Sequence, residues 1–561
     1  MKYDKWVLLP EASDSETVAL GMGRVESALL VHRGIATEEE MDEFLSPTLS
    51  SLHDPFLLPD MHVCIDRLEE AVDSKEVVGV FGDFDTDGIS GTALLTRGLE
   101  KMGLEVLPYV PHRVEEGHGI SMQALEFFAS KSVTLLITVD CGVSSSNEID
   151  TALHMGIDTI VTDHHTAVDE LPAAVAIVNP SLPGSSYPFK YLTGVGTAFK
   201  VMQALYQRKK VELPDELYVY VTLGTISDVG LMRDENRYLV SKGMDLLKKS
   251  EIPGIDALIE VCNASKKNLS TQDMSFGIIP RINVAGRLDH ANLSLMLLLA
   301  SDGAEAGRLA AKLDEMNKKR QMITEKAMIE AKNQIKSDFE SGVPSIIFAG
   351  KSNWIPGILG LIAGRLSEEY HRPAIVASGQ GETFRASARS IPEFNMINAL
   401  DMCSDSFEQY GGHPMAAGFT IRKDNLREFR TKMSSVADEL LMGLNVQPTL
   451  MIEAEISPSW VNSDSLSFLN AMEPYGETNQ QPVFMTSGMN IVDARQVGAN
   501  KNHLKITMEY QGRLYDGIAF RQGTRVEECK GSVDLAYRPE MNYWNGKFNL
   551  QFIVSDFRSS S

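Results

Sequence analysis

Val77-Val78-Gly79-Val80-Phe81-Gly82-Asp83-Phe84-Asp85-Thr86-Asp87-Gly88 is the stretch that decides the fold. An apolar run of strand length stops, and three carboxylates follow at every second residue before a glycine. Anions this close repel one another unless a cation sits among them, so the segment asks for a metal. The design recurs along the chain: Leu135-Leu136-Ile137-Thr138-Val139 runs into Asp140-Cys141-Gly142, and Thr159-Ile160-Val161-Thr162 runs into Asp163-His164-His165. A fourth apolar run, Val219 to Ile226, leads to Asp228.

Four such runs, each ending in acid or imidazole groups, describe a parallel sheet with its site beyond the carboxyl ends of the strands. Amphipathic segments between them, Thr92 to Met102 and Asn147 to Met155, have the length of crossover helices. The fold class expected is therefore α/β. An EF-hand calcium loop also starts with alternating acids and a glycine, but its late Glu is missing and Ile89 to Leu95 resumes an apolar helix pattern. One Asp at a strand end is an ordinary turn former or helix N-cap; the argument rests on the repetition.

Carboxylates with histidine and no thiolate suit Mn²⁺ or Mg²⁺ better than structural zinc. With this many anionic candidates two cations are expected, and such a pair hydrolyses phosphoesters.

At these residues the chain resembles the DHH phosphoesterase superfamily and, within it, the bacterial single-strand-specific exonuclease family RecJ. The matching pieces are Phe81 to Gly88, Asp140-Cys141-Gly142, Asp163-His164-His165, Leu223 to Val229, Pro280 to Leu288, Pro356 to Gly360 and Gly411-Gly412-His413-Pro414. The resemblance implies a dinuclear Mn²⁺ or Mg²⁺ site held by Asp83, Asp85, Asp87, Asp140, His164 and Asp228, with Asp140 bridging the ions. It places His165 beside the scissile phosphate. It implies 5′→3′ hydrolysis of single-stranded DNA in repair and recombination by a cytoplasmic monomer, with a helicase or single-strand-binding protein as candidate partner and no membrane. Rival readings are a relative acting on oligoribonucleotides or cyclic dinucleotides, and a non-catalytic DNA-binding scaffold. The chain departs from the family pattern at His118, where Tyr is common, and at Ile355, where His is usual.

Arg281, Asn283 and Arg287 lie in one short segment and Arg385, Ser387 and Arg389 alternate along one strand face, patterns that an ordinary surface salt bridge explains equally well; the resemblance implies that these residues, with Arg113, contact substrate. Gly412 and His413 supply backbone amides and an imidazole for a terminal phosphate. Lys318-Lys319-Arg320 reads as a solvated face.

The expected domains are an N-terminal segment (1–50), a DHH catalytic domain (51–302), a connector helix (303–340), a smaller α/β DHHA1 domain (341–445) and a C-terminal OB-fold barrel (446–561). The period-two runs Leu504 to Met508, Leu514 to Phe520 and Phe548 to Val554, with an Asn545-Gly546 hairpin, carry the barrel. Tyr543, Trp544 and Arg538 are candidate base contacts there.

Composition sets the limits. Acidic residues number 76 against 52 basic, a net charge of −24 over 561 residues, so any nucleic-acid groove must be locally positive on an acidic surface. No apolar run approaches the ~20 residues that span a bilayer, and the start lacks a signal-peptide core. Five scattered cysteines without a Cys-x-x-Cys pair fit reduced thiols.

Overall fold

Val77–Gly82, Leu135–Val139 and Asp158–Thr162 are rich in β-branched residues and buried on both faces, the condition for a central parallel strand. In the computed structural model, which describes residues 3–167, 170–249, 251–340, 342–379, 381–498, 500–544 and 547–560, they pair in parallel. Glu105–Tyr109 and Ala176–Val178 complete the sheet. The spatial order is Glu105–Tyr109, Val77–Gly82, Leu135–Val139, Asp158–Thr162, Ala176–Val178. Connections leave the Val77–Gly82 strand to opposite sides, so a crevice opens between it and Leu135–Val139, where such sheets bind ligands. Thr86–Lys101 and Ser146–His154 are crossover helices, as the amphipathic pattern predicts.

The fourth apolar run is not a strand. Asp215–Ser227 is a helix, and Leu217 through Ile226 are all buried. A helix enclosed on every side is apolar all round and carries no period that separates it from a buried strand.

Gly303–Glu340 forms one helix of 38 residues, about 57 Å long by its rise. It leads to a mixed sheet in the order Phe407–His413, Ala416–Arg422, Thr383–Arg389, Ala374–Ser378, Ile347–Gly350, in which only the last pair is parallel. Helix Leu359–Tyr370 packs on it through Ile362, Ala363 and Leu366.

The chain divides into two compact units, Ser50–Val446 and a second made of Met1–Leu49 with Gln447–Ser561. The N-terminal segment therefore does not stand alone: Lys5–Leu8 pairs in parallel with Thr449–Ile452, and the Arg33 guanidinium binds Glu453 at 2.7 Å. Within this unit Phe484–Val497, His503–Tyr510, Arg513–Ala519, Lys547–Ser559 and Ser532–Trp544 pair in succession, and the last pairs back to the first, closing a five-stranded barrel. Leu504, Ile506, Met508, Leu535, Tyr537 and Phe552 fill it. Trp544 pairs with Lys547 across the expected hairpin. The Asn545-Gly546 turn itself, and the side chains of Tyr543 and Trp544, lie outside the described residues.

Candidate metal and nucleic-acid site

The carboxylate loop is fixed by backbone hydrogen bonds. Asp85 is the N-cap of helix Thr86–Lys101, its Oδ1 accepting from the amides of Asp87 at 2.9 Å and Gly88 at 3.2 Å. Asp87 accepts from the amides of Gly194 at 2.8 Å and Val195 at 2.9 Å, at the start of helix Gly194–Lys209. That helix end comes so close to Asp140 that a Cβ on Gly194 would lie 2.4 Å from the Asp140 Cβ, so only glycine fits. Asp140 itself has φ of 59°, a left-handed conformation that Asp tolerates and that turns its carboxyl back over the sheet edge. Asp228 caps the carboxyl end of helix Asp215–Ser227, where the helix dipole disfavours an anion unless a cation is near.

These residues converge. Ligand-type atoms of Asp83, Asp85 and Asp140 lie within 4.8 Å of one another, as do those of Asp87, His164 and Asp228, and those of Asp140, His164 and His165. Asp140 belongs to two groups and so stands between them. His164 Nε2 is 3.1 Å from Asp140 Oδ1 and 3.9 Å from Asp228 Oδ2.

The electrostatics fit divalent cations. Burial, then the charges of Asp87, Asp85, Asp83 and Asp228, push the Asp140 carboxyl far above its ordinary range. Burial, then Asp228 and Asp85, do the same to Asp87, and burial with Asp85 lifts Asp228 to about 7. Burial and the neighbouring His165 lower His164 to about 4, leaving the neutral imidazole a metal needs. Asp83 Oδ1 is buried without a hydrogen bond, the His118 Nδ1 being 3.4 Å away. All donors are oxygen or imidazole nitrogen, the set that hard divalent ions prefer.

His165 is different. Burial opposes its charge, but the hydrogen bond from Nδ1 to Asp163 Oδ1 at 2.8 Å, together with that carboxylate's charge, raises it to about 9. Asp163 is held in turn by the amides of His164 at 2.7 Å, His165 at 3.1 Å and Val143 at 3.1 Å. The His413 ring stacks over His165 at 6.4 Å with an interplanar angle of 16°. Gly412, one residue before, has φ of 147°, and a Cβ there would meet Ala416 O at 2.4 Å.

A set of arginines faces this centre. Burial and then Arg113, Arg320 and Arg389 lower Arg287 to about 9, so these guanidinium groups crowd one another. Asp85, which acts on Arg113 and Arg287, and Asp83, which acts on Arg113, offset only part of this crowding, and guanidinium groups so held suit a phosphate. Arg287 donates to Gly357 O at 3.1 Å, and Arg113 lies over the Phe84 ring at 4.7 Å. Arg385, Ser387 and Arg389 share a face of Thr383–Arg389 as the alternation predicts. Arg389 and Ser387 approach Gly360, while Arg385 reaches the Val114 carbonyl at 3.2 Å. Asn283 accepts from the Thr86 amide at 3.0 Å and lies 3.4 Å from Ser227 Oγ, tying the carboxylate loop to the helix before Asp228. Arg281 departs from expectation: it is taken up by Asp314 at 2.7 Å and by Gly277 O at 2.8 Å, so it braces the long helix.

Two residues escaped the reading of the sequence. Asp163 was visible as a strand-end acid, yet only the fold shows that it holds His165. Arg320 was read with Lys318 and Lys319 as a solvated face, but it is half-buried beside Asn317, whose Oδ1 accepts from it at 2.8 Å. Its signal was the helical stripe Leu313, Asn317, Thr324, on which it falls. Replacing Asp163 by Asn keeps the size, removes the charge and sets an amide NH2 against one of the N–H groups that the carboxylate now accepts from; turnover is expected to fall about 10- to 100-fold with little change in KM, checked by steady-state kinetics.

The comparisons agree with this geometry. Residues 77–225 match the DHH family N-terminal domain, 343–439 the DHHA1 domain and 452–556 the RecJ OB domain. A single-stranded-DNA-specific exonuclease RecJ of Bacillus subtilis is 33% identical over 97% of this chain and 69% of its own length. The Escherichia coli protein of the same name is 32% identical over 94% of each. The crystal structure of RecJ in complex with Mn²⁺ from Thermus thermophilus superposes with a TM-score of 0.83 at 28% identity, covering 99% of this chain and 80% of that one. With its three matched domains in order and relatives of this identity along nearly its whole length, the chain belongs to the RecJ family.

Proposed function

We propose that this chain is a metal-dependent exonuclease that removes nucleotides from single-stranded DNA in the 5′→3′ direction, serving DNA repair and recombination. The observation that carries the reading is the meeting, within one compact unit, of a caged carboxylate–imidazole centre and a crowded set of arginines. Two divalent cations, Mn²⁺ or Mg²⁺, would be held by Asp83, Asp85, Asp87, Asp140, His164 and Asp228, and when bound they activate water and neutralise phosphate charge.

The chain's own residues do the rest. Arg113, Arg287, Ser387 and Arg389 grip the phosphate at the 5′ terminus, with Gly412 and His413 on the other side, and so hold the next phosphate over the carboxylates. A bond forms between water oxygen and that phosphorus while its bond to the terminal nucleotide's 3′-oxygen breaks. His165, kept cationic by Asp163, gives its proton to that oxygen. The mononucleotide departs with its 5′-phosphate, and the shortened strand carries a new one.

One chain contains all these groups, which supports a monomer. An enzyme confined to single strands needs a source of them, and a helicase or single-strand-binding protein in the cytoplasm supplies that chemistry. Among the described residues no helix is long and apolar enough to cross a membrane. Assays of 5′-labelled single-stranded DNA, duplex DNA and RNA side by side with Mn²⁺ test the reading. Mononucleotide release from single-stranded DNA alone is expected, whereas preferential decay of short RNA contradicts it. Arg389→Ala removes a charged hydrogen-bond donor, worth about 1.5–3 kcal/mol, and is expected to raise KM for 5′-phosphorylated strands roughly 10- to 150-fold. The effect should shrink on strands ending in a 5′-hydroxyl.

A further inference from the structure

Thr271–Asp273, the π-helical turn Met274–Ile278 and helix Ile279–Leu288 run on without a break. Packing buries Met274, Ile278, Ile279, Ile282, Val284, Ala285 and Gly286 along it. The remaining face carries Gln272 and Phe276, both exposed, and Pro280, Asn283 and Arg287, partly buried, spaced four, four, three and four residues apart. Phe276 is 78% exposed. A lone exposed apolar residue is ordinary. This one shares its helix face with two residues of the site: Arg287 among the arginines and Asn283 against the carboxylate loop.

The helix therefore works as a ruler. Arg287 to Asn283 is four residues, about 6 Å of rise, and Asn283 to Phe276 is seven, about 10 Å further the same way. A strand with its 5′-phosphate at Arg287 and its scissile phosphate level with Asn283 continues towards Phe276. A π turn rotates this residue relative to a regular helix, and such turns gather at functional positions. We propose that Phe276 is a stacking platform for an unpaired base of the substrate strand, about the third nucleotide from the 5′ end. The proposal rests on the exonuclease reading above and adds a contact that selects for an unstacked, single-stranded base.

The test uses full-length, Mn²⁺-loaded protein and 5′-phosphorylated single strands protected by phosphorothioate linkages, with 2-aminopurine placed at successive positions. In the wild type, binding is expected to change the fluorescence most near the third position. Phe276→Ala should lose that change and raise Kd about tenfold, whereas Phe276→Trp should retain both. An unchanged fluorescence profile and Kd in Phe276→Ala, or loss in Phe276→Trp as well, overturns the proposal while hydrolysis by the wild type leaves the exonuclease reading standing. A wild-type protein that neither binds nor cuts the strand overturns both.

Discussion

Asp140→Asn is expected to lower kcat/KM by at least about 10⁴-fold while making the metal-free protein slightly more stable. The opposite signs follow from one fact: Asp140 is buried among Asp83, Asp85, Asp87 and Asp228, which together with burial raise its pKa. An acid whose folded pKa lies above its unfolded value of ~3.9 destabilises the fold as pH rises past that value, so at neutral pH the charge is a liability without metal. Asn removes the charge, keeps the size and, like Asp, tolerates the left-handed φ of 59°. The melting midpoint of the metal-free variant should rise by about 1–3 °C. Mn²⁺ at 100 times its Kd stabilises a binding-competent fold by about 2.7 kcal/mol, and this gain should be lost in the variant. Calorimetric melting with and without Mn²⁺, beside a nuclease assay, checks all three. Wild-type turnover from Asp140→Asn removes the bridging role; a lowered metal-free midpoint assigns Asp140 to the fold instead.

His165→Ala is expected to reduce kcat about 10²- to 10⁴-fold, the range for a positioned general acid, with KM within a few-fold of wild type. The imidazole is half-exposed, so its loss opens space at the surface and not in the core. A nucleoside phosphodiester whose leaving oxygen is p-nitrophenolate departs without a proton. On that substrate the variant should recover most of the lost rate. An equal loss on both substrates denies the proton-donor role and leaves His165 with phosphate binding.

How much of this was readable in advance depends on how local each feature is. Asp228 reaches the site from a helix end; Asp83, Asp85, Asp87, Asp140 and His164 come just after strands, and strand-end groups in a parallel sheet must meet at one edge. Their convergence was therefore legible although they are spread across the catalytic half of the chain. The long helix from Gly303 was legible too, since it contains no Pro and starts from good helix formers. Val219 to Ile226 was not, because complete burial erases periodicity. Arg281 was misplaced because its partner Asp314 lies 33 residues away on another helix, and Arg320 was hidden by two exposed lysines beside it. The joining of the N-terminal segment to the barrel unit depends on pairing between Lys5–Leu8 and Thr449–Ile452, more than four hundred residues apart, which no local pattern encodes.

The central claim is that distant aspartates and one neutral imidazole close around two divalent ions. Anomalous diffraction at the manganese edge from crystals grown with Mn²⁺ tests it directly. The account predicts two peaks, one shared by Asp83, Asp85 and Asp140, one by Asp87, His164 and Asp228, with Asp140 touching both. No peak among these residues, or a single ion bound elsewhere while the enzyme turns over, contradicts it.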